Sequence, residues 1–355
     1  MARALVLAAV LLAEGSAGCK CTSTMPCFQE VPWERLSERV KWREVKPLTK
    51  EELGTSRAQN DPLWLSAQPG GTHHSGMMGS PAAPGWTIFN STPAKYVEIQ
   101  NEHQASEAVK FASEHNLEVV VKSTGHDWFG RSTGRGFLLW THHLTASEWH
   151  DAFWPAKCTE PVHAVTLGAG VQFWQVKKEM AERHRVVVTG TCLTVGHVGF
   201  TLGGGYGDNS RMYGSGASNL LEAQVVLASG EVITASACNE HKELLVALRG
   251  GGAGFGLVLK ATYRTHPEPK AGDLGHASGR VWGTPAVALE RVLEWYDTIL
   301  AKGMAKHFGG QLQMSGDHVL VNLKFVELPE AECTQLLKPL GVECKASDFH
   351  DYESG

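Results

Sequence analysis

Eight of the chain's 39 glycines fall between residues 190 and 214, in GTCLTVGHVGFTLGGGYGDNSRMYG. No other feature constrains the fold as much. Glycine loses more backbone freedom on folding than any other residue, so a dense cluster marks a place where side chains do not fit. Such a loop lets backbone N–H groups converge on anionic oxygens. The GGGYG run looks like a dinucleotide fingerprint, but its context is wrong. The glycines do not form a G-x-G-x-x-G turn between a strand and a helix, and no acidic residue about 20 positions later closes a second strand. A P-loop is excluded because no Gly-Lys-Ser/Thr is present. The bland alternative is that these glycines only permit tight turns.

A second segment, VVVKSTGHDWFG at 119–130, has the same character. Three valines read as a buried strand, which then breaks into Ser-Thr-Gly and presents His126. A glycine behind the histidine lets its ring approach a flat ligand at the edge of a packed loop. The alternative for His126 is a turn histidine bonded to the neighbouring Asp127. For Cys192, in the other segment, the alternative is one half of a disulfide.

Taken together, KSTGH (122–126), CLTVGHVG (192–199), GGGYG (203–207) and ALRGGGAGFGLV (247–258) resemble the flavin-binding domain of the vanillyl-alcohol-oxidase-like oxidoreductases, within them the berberine-bridge-enzyme-like branch. The resemblance covers roughly residues 19–270. It implies FAD as cofactor, attached twice: His126 matches the histidine joined to the 8α-methyl, and Cys192 the cysteine joined to C6. It places Lys122, Ser123, Thr124, Gly125, Asp127, Gly130 and Ser132 in the pyrophosphate loop. Val195, Gly196, Gly199, Gly203, Gly204, Gly205, Tyr206 and Gly207 form the second cofactor segment. Val195 matches a position that gates oxygen in the branch, and a small side chain there favours O₂ as acceptor; ordinary packing is the other reading.

The resemblance further implies hydride transfer from a sugar, alcohol or amine C–H to the flavin, with an enzymic base taking a proton. Relatives carry that base, and a Tyr-x-Asn segment, beyond the length of this chain, so no base is nominated and the substrate domain reads as C-terminally truncated. His142 and His143, in THH, fit second-shell or solvent-facing roles equally well. Tyr206 and Tyr213 fit simple packing on the cofactor. Val246 stands where relatives carry an aromatic residue.

With 43% hydrophobic and 19% charged residues, the chain has the composition of a globular protein. A net charge of −5 gives no electrostatic footprint for nucleic acid. The start, MARALVLAAVLLAEGSAG, reads as a signal peptide over 1–18, since its apolar run is too short to span a bilayer. No later stretch reads as a membrane span. Eight cysteines suit an oxidising compartment and disulfides, although CKCTSTMPC also admits a metal reading. The sequon at Asn90 allows glycosylation. A secreted or lumenal glycoprotein follows as the expectation, acting on a small molecule with molecular oxygen as partner. A flavin-binding protein without complete catalytic machinery, and a non-enzymatic disulfide-rich binding module, remain as alternatives.

The pattern is α+β: a PCMH-type FAD-binding domain of two α/β subdomains, then the beginning of an antiparallel-sheet substrate domain. The expected divisions are 1–18, a loop-rich segment over 19–90 with a helix near Trp33–Trp42, the flavin domain over 91–268, and a partial substrate domain over 269–355. Helices are expected around 104–116, 171–184, 241–250, 284–301 and 329–338. Strands are expected at 117–122, 137–140, 163–170, RVVVTG, 255–267 and two more after 305, with a hairpin over 220–236 turning at Ser229-Gly230.

Overall fold

A computed structural model describes residues 20–44, 95–127 and 131–347. The signal-peptide segment, Cys19, Asn90 and Gly130 lie outside the described residues. The described elements form two compact units.

The first unit holds residues up to Gln172, Thr194–Leu202 and Leu221–Thr262. Its first sheet contains β1 (Trp42–Glu44), β2 (Lys95–Glu98), β3 (Val119–Lys122) and β4 (Phe137–Trp140), in the order β1-β2-β4-β3. Both β2 and β3 run parallel to β4. Parallel neighbours need a crossover, and the helix Glu102–Glu114 after β2 supplies it. Asn101 caps this helix by accepting the Gln104 N–H, and Ala105, Ala108, Val109, Phe111 and Ala112 bury its apolar face. β4 is buried at all four positions, as a central strand covered on both sides must be.

β3 alternates instead: Val119 and Val121 are exposed, Val120 and Lys122 buried. The two-residue period of a strand therefore carries Lys122 to the inner side with Val120, opposite Trp140 in register.

The second sheet of this unit has β5 (Ser147–Phe153), β6 (Val162–Gly168), β7 (Leu220–Val226), β8 (Val232–Ser236) and β9 (Leu257–Arg264), in the order β5-β6-β9-β7-β8. β7 and β8 form the expected hairpin, with Gly230 at φ +82° in its turn. Disulfides join Cys21 to Cys27 and Cys158 to Cys238.

The second unit comprises Phe173–Leu193, Gly203–Leu220 and the residues from Tyr263 on. Its sheet is antiparallel: β10 (Leu274–Trp282), β11 (Phe308–Met314), β12 (His318–Val326) and β13 (Cys344–Ala346), in the order β11-β12-β10-β13. Ala277, Val281, Val319, Val321 and Leu323 on one face pack with Ala288, Val292, Trp295 and Ile299 of the helix Pro285–Ala301. The helix Glu330–Leu337 adds Cys333, bonded to Cys344. Two strands and two helices alone make a poor core, but β10 and β13 were not legible, and with them the sheet has four strands.

Two other expectations are corrected. The helix near Trp33 stops at Ser37, and Trp42 opens β1. Trp42 folds back so that its indole N–H donates to the Trp33 carbonyl at 2.9 Å and its ring lies 5.6 Å from that of Trp33. In RVVVTG only Arg185–Val186 pairs, with His266–Pro267; Val187 and Val188 are buried without belonging to a strand. No described helix is long and apolar enough to cross a membrane.

Candidate cofactor site

The loop after β3 is built from its neighbours inward. Ser123 Oγ donates to the Ala169 carbonyl at 2.7 Å, and the Trp140 indole N–H donates to the Ser123 carbonyl at 3.2 Å. Thr124 is buried, and its Oγ1 accepts the Gly196 N–H at 3.1 Å. Gly125 takes φ +83°, which turns the chain sharply and brings His126 round. The His126 Nε2 atom lies 2.7 Å from the hydroxyl of Thr194. Asp127 accepts from the Arg131 guanidinium at 3.0–3.1 Å and from the Ser132 backbone N–H at 3.2 Å.

Gly196 is glycine for a steric reason: a Cβ there would lie 2.6 Å from Ser123 Oγ. Within the first unit the structure thus joins the KSTGH loop to Thr194–Gly199 of the second glycine segment. Val195 is half-buried between the buried residues Thr194 and Gly196. Gly199, on the helix His197–Leu202, faces open space where a Cβ would stand.

The rest of that segment lies in the second unit. Cys192 is an exposed free thiol, flanked by exposed Thr191 and Leu193. The other six described cysteines are paired among themselves, which removes the disulfide alternative for Cys192 within the described residues. Gly204 and Gly205 have φ +99° and +72°, and Gly204 also faces open space. Their carbonyls accept the N–H groups of Ala217 and Gly216. Gly207 is pressed against the Thr189 carbonyl, leaving no room for a Cβ. Gly203 precedes this turn, and Tyr206 stands out at 69% exposure. Tyr213 stacks on His266, ring centroids 4.5 Å apart.

Electrostatics mark the first loop as well. Lys122 is fully buried, and desolvation pulls its pKa down to about 7. Its ammonium lies 5.7 Å from the Trp140 ring centroid. His142 stacks on the same ring at 5.2 Å, and burial first, then His143 and Lys122, lowers its pKa. His143 is exposed and lies 3.8 Å from Glu98, so the two histidines play different parts. Val246 is exposed on its helix, so the missing aromatic leaves no gap in the core. Sequence reasoning missed Thr194 and Trp140. Both stood in quoted stretches, but nothing in their spacing announces contacts to His126 and Ser123.

Residues 93–236 match the FAD binding domain family. An FAD-linked oxidoreductase of Aspergillus flavipes is 42% identical over 182 residues, 50% of this chain and 30% of the relative. The chain belongs to the vanillyl-alcohol-oxidase-like, PCMH-type FAD-binding family. Another relative in that family, an FAD-linked oxidoreductase of Phaeosphaeria nodorum, is 34% identical over 277 residues, 74% of this chain and 61% of its own length. The chain therefore spans between about a third and three fifths of these two relatives.

Solved structures share the fold. A VAO-type flavoprotein of Myceliophthora thermophila superposes with a TM-score of 0.74 at 23% identity, covering 93% of this chain and 65% of that one. Berberine bridge enzyme of Eschscholzia californica gives 0.65 at 16% identity, covering 91% and 62%. A chitooligosaccharide oxidase gives 0.62 at 22% identity, covering 78% and 59%.

The site residues fit FAD on their own evidence. A buried lysine at the base of a hydrogen-bonded glycine turn suits an anionic pyrophosphate, whose charge would favour the lysine's protonated form. Gly199 and Gly204 leave space where side chains would intrude, and Cys192 keeps a free thiol.

Proposed function

We propose that this chain binds FAD covalently through His126 and Cys192 and serves a secreted oxidase acting on a sugar, alcohol or amine, with O₂ as electron acceptor. The domain plan that goes with this reading is a signal peptide over 1–18, a loop-rich segment over 19–90, the flavin domain over 91–268 and part of a substrate domain over 269–355. The observation that carries the attachment is the contrast among cysteines: six described cysteines are paired while Cys192, in the motif loop, is free and exposed.

FAD when bound supplies the hydride acceptor and passes electrons on to oxygen. The chain's own residues bind and orient it. Lys122 and the N–H groups of the turn at Gly125 supply positive potential for phosphate oxygens. Thr194 holds the imidazole of His126, and the small Val195 leaves oxygen a path. Three disulfides suit a secreted product, and Asn90 is the glycosylation site of this reading.

The decisive measurement is the visible spectrum after acid precipitation. Yellow colour that stays with the pellet, and flavin mass on both the His126 and the Cys192 peptides, is the expected result; a colourless, well-folded preparation made with ample riboflavin sinks the proposal. Peroxide release during turnover against a panel of sugars, alcohols and amines tests the choice of acceptor, and turnover without peroxide refutes it.

A further inference from the structure

We propose that Thr194 is the positioning residue of His126: its hydroxyl fixes which ring nitrogen carries the proton and leaves Nδ1 as the atom that joins the cofactor. This rests on the flavin reading above and goes one step beyond it.

The geometry is specific. Thr194 is 8% exposed, and its Oγ1 lies 2.7 Å from His126 Nε2, across 68 residues of chain. Two residues further on, the Gly196 N–H donates to Thr124 Oγ1 at 3.1 Å. The two loops thus exchange hydrogen bonds in both directions through two threonines, one on each side of the Gly125 turn. A neutral imidazole has one N–H donor and one acceptor nitrogen, and the partner of the first decides the role of the second. With Nε2–H donating to Thr194, the lone pair sits on Nδ1.

A hydroxyl suits both sides of the attachment step. Joining Nδ1 to the 8α-carbon forms a C–N bond and breaks a methyl C–H bond. The methyl carbon gives up two electrons to the flavin. One proton leaves from the methyl and one from Nε2, and O₂ then takes the two electrons with two protons to give H₂O₂. Once Nε2 has lost its proton it needs a donor, and the Thr194 hydroxyl rotates to supply one. A carbonyl oxygen would serve before the step and not after it. Valine, the same shape without the hydroxyl, would serve at neither stage.

The test compares Thr194→Val and Thr194→Ser with the parent. Trypsin separates the two attachment residues, His126 on residues 123–131 and Cys192 on 186–211. Flavin mass on the first peptide is expected to fall about tenfold in Thr194→Val, the loss that corresponds to one buried hydrogen bond, with flavin on the second retained. Thr194→Ser should return the first peptide to within about twofold of the parent. Equal flavin on the His126 peptide in parent and Thr194→Val overturns the proposal.

A second readout does not depend on flavin. In flavin-free protein, the ¹⁵N shifts of the His126 ring should show Nε2 protonated in the parent and in Thr194→Ser, and a mixture of tautomers in Thr194→Val. A parent ring protonated at Nδ1 refutes the assignment. Flavin on neither peptide of the parent is a failure of the cofactor reading alone, and the ¹⁵N result then judges Thr194 by itself.

Discussion

Between Ser123 and Ser132 the side chains are tied to Ala169, Trp140, Gly196, Thr194 and Arg131, and Lys122 beneath them is fully buried. From Thr191 to Leu193, three consecutive side chains stand exposed. One motif loop is therefore set by protein–protein hydrogen bonds before any ligand arrives, and the other presents its reactive atom on the surface. The difference teaches that two attachment points need not be prepared alike. A preorganised partner limits the ordering cost of binding, while an exposed one relies on the ligand to settle it.

Replacing His126 with alanine is the harshest test of that contrast. Flavin should disappear from the peptide spanning residues 123–131 while persisting on the one holding Cys192; peptide mass mapping reads both. An unchanged distribution would mean the prepared loop is not an attachment loop.

Lys122→Met comes next, read by denaturant unfolding against pH. The unfolded chain keeps the Lys122 proton up to about 10.5, whereas the folded chain binds it only below about 7. Between these values the unfolded state binds more protons, so this residue makes stability rise with pH across that window; below about 7 its penalty is constant. Methionine should remove that part of the slope and stabilise flavin-free protein near pH 7 by up to a few kcal/mol. An identical slope in the variant would show that Lys122 is solvated.

Trp140→Phe keeps the ring but deletes the N–H to Ser123, and should cost about 1 kcal/mol in unfolding free energy. Cys192→Ser, on the exposed side of the comparison, should change stability by no more than about 0.5 kcal/mol. Thiol titration of the flavin-free, undenatured parent should find Cys192 reactive and the six bridged cysteines silent.

Much of this was legible in the sequence, for stated reasons. The helices at 102–114 and 173–183 show their apolar period directly, and the valine run with FLLW marks the parallel strands beside the site. Strands β5 (SEWHDAF) and β10 (LGHASGRVW) were missed because charged and small residues hide the alternation, and their pairing is set by neighbours far along the chain. RVVVTG shows the converse: three valines promise a strand, yet burial alone satisfies most of them. The site was visible as glycines, one histidine and one cysteine, since those residue types are rare in such company. Its supports were not. A threonine hydroxyl or an indole N–H gains meaning only from the group it meets, and those meetings span 68 and 17 residues.

The lone thiol carries a chemical consequence of its own. A thiolate on the surface of a chain with three disulfides can attack one of them, or one on another molecule, through thiol–disulfide exchange. Capping its sulfur with the isoalloxazine would end that reactivity for good. The prosthetic group would then double as a protecting group, and a chain released without it would be prone to scrambled bridges and linked dimers.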